Sequence, residues 1–228
     1  MPRGHPRRAG DPVVTPPELI LHGYWRSGTS YRTRIALELK RLEYGQVTHD
    51  LRTGAHRLET YRSMAPQGLV PVLEEGGYYL PQSPAILEFL EERYPEPPLL
   101  PTNHYERATV RAMCAVIGCD IHPLNNLRVL NAIRDDFRAN DDAVKAWAAK
   151  WIASGFEALE EMIIKHGNKY AFGNSPTMVE CYLVPQVYSA ERFGVDMAPY
   201  AKLMRVVEHA RNNAQIAAAH PDRQPDAD

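Results

Sequence analysis

Three short stretches of this chain put ligand-holding groups where the backbone can assist them. The first is Arg26-Ser27-Gly28-Thr29-Ser30, a run of hydroxyls just ahead of a helix-forming segment. A hydroxyl at a helix N-terminus sits beside unpaired backbone N–H groups and the positive end of the helix dipole. That setting favours an anion, and a thiolate is the obvious soft one. Read locally, Ser27 or Ser30 acting as a plain helix cap fits equally well. The second stretch is Val70-Pro71 ahead of a strand, where a cis bond would turn the backbone N–H and C=O of Val70 toward a peptide-like ligand. The third is Gln82-Ser83, an amide beside a hydroxyl at a helix start, suited to a carboxylate and an amine. In this order and spacing they describe a site for a short γ-glutamyl peptide.

Such a site needs a scaffold, and the flanking patterns supply one. Residues 19–23 read as a strand, followed by a loop and a helix with Ile35, Ala36, Leu39 and Leu42 on one side. A weaker strand follows over 46–51, a short helix over 55–63 and a proline-opened strand over 69–74. Glu75-Gly76-Gly77 supplies a hairpin turn and 78–80 the return strand. Ser83 before Pro84 predicts an N-cap with proline in the first turn, opening a helix to about residue 93. The order β-α-β-α-β-β-α is the thioredoxin-like plan. Redox proteins of that plan carry Cys-x-x-Cys in the first loop. Here Ser27 and Ser30 hold those places, so dithiol exchange by that motif is excluded.

The proline-rich run 95–101 marks a linker, and the chain beyond about residue 105 reads as helix. A long helix is expected over 106–133, bent at Pro123. Another over 142–166 carries Trp147, Trp151, Ile152, Phe156, Leu159 and Ile163 at core spacing. Thr177-Met178-Val179-Glu180 is a capping box for a buried helix over 181–190. A last helical stretch covers 199–219, and a polar tail begins at His220. The expected architecture is a disordered tail over 1–17, an α/β thioredoxin-like domain over 18–99 and an all-α helical bundle over 100–228.

Composition narrows the partners. With 24% charged residues, a net charge of −2 and no long basic run, nothing favours nucleic acid. No stretch approaches the roughly 18 apolar residues of a membrane span. Cys114, Cys119 and Cys181 form neither a Cys-x-x-Cys pair nor a zinc cluster. Packed, reduced core thiols are the expected state of Cys114 and Cys119, which suits a reducing, cytoplasmic compartment. The first 17 residues, with three arginines and five prolines, lack the amphipathic face of an organelle transit peptide.

At this point the chain resembles a zeta-class glutathione transferase, the family that includes maleylacetoacetate and maleylpyruvate isomerases. The matching stretches run from Arg26 to Leu37, from Pro66 to Leu73, from Gln82 to Ile86, from Ile121 to Leu130, through Leu183-Val184-Pro185-Gln186 and Ala190-Glu191-Arg192-Phe193, and through the ending from His220 to Asp226. The resemblance implies glutathione as cofactor. Ser27 would stabilise its thiolate, Val70 and Pro71 would pair with its peptide backbone, and Gln82 and Ser83 would hold its γ-glutamyl end. His56, His122 and Asn126 would be further glutathione contacts. Arg26, Arg128 and Arg192 would receive a dicarboxylic substrate, with Ser27, Thr29 and Arg192 carrying the chemistry. For Arg32 and Arg34 a surface or interhelical ion pair is the expectation. The chain departs from the family pattern at Gly28-Thr29, where Ser or Ala and then Cys are usual, at Ala65 for Asn, and at Glu180 for Asp. These departures touch substrate and rate rather than fold. The expected activity is glutathione-dependent cis-trans isomerisation of a maleyl-type keto acid. The alternatives are conjugation or dehalogenation of small α-halo acids, and a non-catalytic interaction module. The resemblance also implies a homodimer.

Overall fold

The computed structural model describes residues 18–228, so the tail expected over 1–17 lies outside the described residues. Four strands form one sheet in the order β2-β1-β3-β4: β1 (Leu19–Gly23), β2 (Gly45–Thr48), β3 (Val72–Glu75) and β4 (Tyr78–Pro81). β1 and β2 are parallel, while β3 runs antiparallel to both β1 and β4, with Leu21 opposite Leu73. The β3–β4 hairpin turns on Gly76 and Gly77, both at positive φ, a conformation open to glycine. β2 stops three residues earlier than expected and is mostly exposed, as suits an edge strand.

Helix α1 (Gly28–Leu39) is buried on nearly every side: Tyr31, Arg32, Thr33, Arg34, Ile35, Ala36 and Leu37 are all inside. An amphipathic reading missed this because α1 is packed on two fronts. One face lies against α3 (Ser83–Arg93), the other against α7 (Met178–Phe193). Neither Arg32 nor Arg34 forms the expected ion pair. Arg34 instead donates to the carbonyls of Ala219 (3.1 Å) and Trp25 (2.8 Å). The short helix expected over 55–63 is split. A 3-10 turn at Ala55–Arg57 is followed by an extended Leu58 and by α2 (Glu59–Arg62).

The proline-rich connector is tied down. Lys40 Nζ reaches Glu91 Oε2 at 2.8 Å and the carbonyls of Tyr94 and Pro97 at 2.7 and 3.1 Å. Glu91 in turn accepts the backbone N–H groups of Leu99 and Leu100, whose side chains are buried. One apolar core continues across this connector, from Leu21, Ile35 and Leu87 to Val110, Phe156 and Val184.

The long helix expected over 106–133 is a correction, because the chain breaks where a bend was foreseen. α4 (His104–Ala115) passes into a π turn (Val116–Ile121), then a 3-10 turn (His122–Leu124), and α5 (Leu127–Phe137) starts afresh. Pro123 offers no N–H to continue the ladder, and the Asn126 side chain caps the new start by accepting from Arg128 N–H. Cys119 lies on the π turn and is exposed, contrary to the core position expected; Cys114 and Cys181 are buried. α6 (Asp141–His166) approaches this turn so closely that a Cβ on Gly155 would overlap the Ile121 side chain.

α7 opens with the expected capping box of Thr177 and Glu180. α8 (Ala201–Arg211) and α9 (Ala214–Ala218) complete the bundle. The polar ending then docks on the sheet half. Asp226 Oδ2 accepts Trp25 N–H at 3.0 Å, Gln224 accepts from Gln46, and the His220 ring packs against Tyr31 and Tyr188. No described helix is long and apolar enough to cross a membrane.

Candidate active site

Ser27 is the N-cap of α1, and its Oγ accepts Ser30 N–H at 3.3 Å. Thr29 Oγ1 lies 3.0 Å from Ser27 Oγ and 2.9 Å from the Val70 carbonyl oxygen. A hydroxyl has one proton, and a carbonyl can only accept. Thr29 therefore gives its proton to Val70, and Ser27 gives its own to Thr29. The Val70–Pro71 bond is cis, as the fold predicted. Thr29, at a place where the resembled family usually has cysteine, thus ties the helix cap to the cis-proline turn.

This joint separates two lobes of a cleft. The smaller, about 150 Å³, is lined by Val70, Pro71, Gln82, Ser83, His122 and Asn126, among others. Here Ser83 requires a correction. It is the first residue of α3 rather than its cap, and its Oγ accepts from Arg32 Nη1 at 3.0 Å. Gln82 takes the cap position at φ 73° and donates to Gln67. Asn126 spends Oδ1 on its own helix cap, which leaves its amide N–H₂ for the cleft.

The larger lobe, about 730 Å³, lies between the sheet half and α5 and α7. Among the described residues its wall carries six arginines, Arg26, Arg32, Arg52, Arg57, Arg128 and Arg192, and no Asp or Glu. Arg52 is paired with Asp50 and Asp228, whereas Arg26, Arg128 and Arg192 have no acidic partner among the described residues. Burial, and then the Arg26 charge, pull the Arg192 pKa below its usual value. Two close cations facing one cleft favour an anion between them.

Both site histidines are neutral. Burial, and then the Arg32 charge, lower the His122 pKa to about 3, and its Nε2 is buried without a partner among the described residues. Burial followed by the Arg57 charge lowers the His56 pKa, and His56 Nδ1 is likewise orphaned. Asn125 Nδ2 and Gln186 Nε2 are two further orphaned nitrogens in the wall, both of them amide donors. Reasoning from sequence missed Gln186 and its neighbours, although Tyr182, Gln186, Ser189 and Phe193 recur at helical spacing on α7. Orphaned donors beside unpaired cations fit an anionic peptide ligand such as glutathione.

A thioredoxin-like sheet with a hydroxyl-capped first helix and a helical wall of arginines defines a glutathione transferase-type enzyme. The glutathione S-transferase N-terminal domain family matches residues 21–98. The chain is 46% identical over 211 residues to a maleylpyruvate isomerase of a Ralstonia species, spanning 91% of this chain and 99% of that protein. It resembles the holo structure of a maleylpyruvate isomerase described as a bacterial zeta-class glutathione S-transferase. The TM-score is 0.90 at 44% identity, covering 92% and 100% of the two chains. It also resembles the maleylacetoacetate isomerase of Anaeromyxobacter dehalogenans, solved with dicarboxyethyl glutathione and citrate in its active site. There the TM-score is 0.83 at 42% identity, over 92% and 94%. The chain belongs to the zeta class of the glutathione S-transferase family.

Proposed function

We propose that this enzyme isomerises a maleyl-type dicarboxylic keto acid from cis to trans, using glutathione without consuming it. The observation that carries this reading is the larger lobe, in which, among the described residues, Arg26, Arg128 and Arg192 lack acidic partners and no carboxylate lines the wall. When bound, glutathione supplies the thiolate that adds reversibly to the carbon β to the substrate ketone, so the former double bond turns before the thiolate leaves.

The protein's part follows from its own groups. Ser27 redirects its proton from Thr29 toward the sulfur, and Thr29 keeps the cap and the cis-proline turn in register. The N-terminal end of α1 adds a positive dipole that lowers the thiol pKa. Val70 and Pro71 align the peptide backbone, while Gln82 and Ser83 take the γ-glutamyl end. His56, His122 and Asn126 offer donors along the peptide. Arg26 and Arg192 bracket one substrate carboxylate and Arg128 the other, since a guanidinium fork matches a carboxylate in two-point contact. Gln186 and Asn125 place N–H donors where charge develops on the ketone oxygen.

The test follows maleylpyruvate and maleylacetoacetate by absorbance, with and without glutathione. The expected result is turnover that requires glutathione and falls on Ser27→Ala. Turnover without glutathione, or none with either substrate, contradicts the proposal.

A further inference from the structure

Arg32 stands apart from the other arginines of the cleft. It lies on α1, only 3% exposed, and lines both lobes. Its guanidinium carbon sits 3.8 Å from the centre of the Tyr182 ring, and Nη1 donates to Ser83 Oγ at 3.0 Å. Nε is buried with no partner, and no carboxylate lies within ion-pair reach among the described residues. Arg34, two residues on, shows what a structural buried arginine looks like here. It is held by two backbone carbonyls and lines neither lobe.

A guanidinium buried without a counter-charge is costly, and an aromatic face offsets that cost only in part. The cost is recovered when a ligand brings an anion. The direction of the one hydrogen bond says where. Ser83 Oγ accepts from Arg32, so the Ser83 proton is not turned toward Arg32, and no described residue accepts it. That proton is free to point into the smaller lobe, where Ser83 is a wall residue. Among the described residues the Arg32 side chain makes no hydrogen bond to Ser27 or Thr29 but does make one to Ser83, which places its influence at the γ-glutamyl end rather than at the sulfur.

We infer that Arg32 is a positioning residue for glutathione, the buried counter-charge that orients the Ser83 hydroxyl toward the γ-glutamyl α-carboxylate. It acts through Ser83. This assignment rests on the reading of glutathione as cofactor.

The experiment is titration calorimetry on the full chain, using glutathione and its analogue 4-aminobutyryl-cysteinyl-glycine, which lacks only the α-carboxylate. The variants are Arg32→Met and the charge-keeping Arg32→Lys. In the wild-type protein, removal of the carboxylate weakens binding. Arg32→Met is expected to weaken glutathione by roughly 30-fold or more and the analogue by less than about threefold, as loss of a charge-assisted hydrogen bond predicts. Arg32→Lys, which retains the charge without the fork, recovers part of that discrimination. Should the Met variant fail to fold, the Lys variant decides alone. About a tenfold loss for glutathione against about twofold for the analogue supports the assignment. Equal losses for the two ligands make Arg32 purely structural and overturn it, as does unchanged discrimination. Wild-type protein that does not bind glutathione at all defeats the cofactor reading itself, which is a distinguishable result.

Discussion

Ser27, Thr29 and Val70 form a chain of proton donation that ends on a carbonyl, and its direction sets what each substitution does. Ser27→Ala removes the donor nearest the sulfur, and kcat/KM is expected to fall by roughly 10²-fold or more, as for loss of one preorganised donor. The same variant shifts the pH–rate profile to higher pH, because the thiol is then less ionised. Thr29→Val keeps the shape and removes the link to the Val70 carbonyl. About a tenfold loss is expected, with Thr29→Ser restoring activity. Arg192→Met is expected to raise KM by about tenfold with a smaller change in kcat, since its task is to hold a carboxylate. An unchanged KM removes Arg192 from the substrate site. At this scale the Ser27 cap and the cis-proline turn were legible because each is a local pattern. Arg32 and Gln186 were not. Their meaning depends on each having a buried N–H donor left without a partner among the described residues, and partners are set by packing between α1, α3 and α7.

Elements carry the site through two tight joints. At the first, α6 presses on the π turn that leads into His122, with Gly155 against Ile121. Gly155→Val must displace a fully buried side chain, and overpacking of this kind costs about 1 to 3 kcal/mol. Because Ile121 adjoins His122, glutathione binding is expected to weaken along with thermal stability. Loss of stability with unchanged binding separates the turn from the site. At the second joint, Lys40→Met leaves the Glu91 carboxylate buried without its cation, at a cost of about 3 to 5 kcal/mol. Chemical denaturation of this variant checks the value. The sequence pattern announced the strands, α1, α3 and the capping box of α7, since turn glycines, caps and apolar periods are short-range. It showed the helix break only as a bend, because Pro123 is visible in sequence whereas the recapping by Asn126 depends on a turn conformation. Ser83 looked like a cap for the same reason. A Ser-Pro pair does not reveal that an arginine 51 residues away claims the hydroxyl.

The whole molecule joins a sheet half and a helical half through one core, and its ending returns to the sheet half. That docking was illegible in a polar sequence, because its anchors are single contacts such as Asp226 on Trp25 and Arg34 on the Ala219 carbonyl. The sheet also holds a group of histidines away from the chemistry. His49 lies 3.1 Å from His22, which reaches Glu74 at 3.0 Å, and the His49 ring packs on Tyr61. Burial, and then electrostatic interaction with the neighbouring His22 and His56 rings, lower the His49 pKa from 6.5 to about 4. The folded protein therefore resists a proton that the unfolded chain accepts. The resulting stability is full above about pH 6.5 and is lost as pH falls toward about 4. Discounted for the water that still reaches this half-buried ring, the effect is about 1 to 2 kcal/mol. Urea midpoints at pH 7 and pH 5 are expected to differ less in His49→Asn than in the wild type. Equal pH dependence in the two proteins contradicts this.

In the proposed reaction glutathione is taken up and returned in every turnover. The most direct measurement is the ratio of free thiol lost to maleyl keto acid converted, taken over many turnovers in one reaction. Glutathione-dependent conversion with a ratio indistinguishable from zero is the expected result. Thiol lost one-for-one with substrate would contradict it and make the enzyme a conjugating transferase.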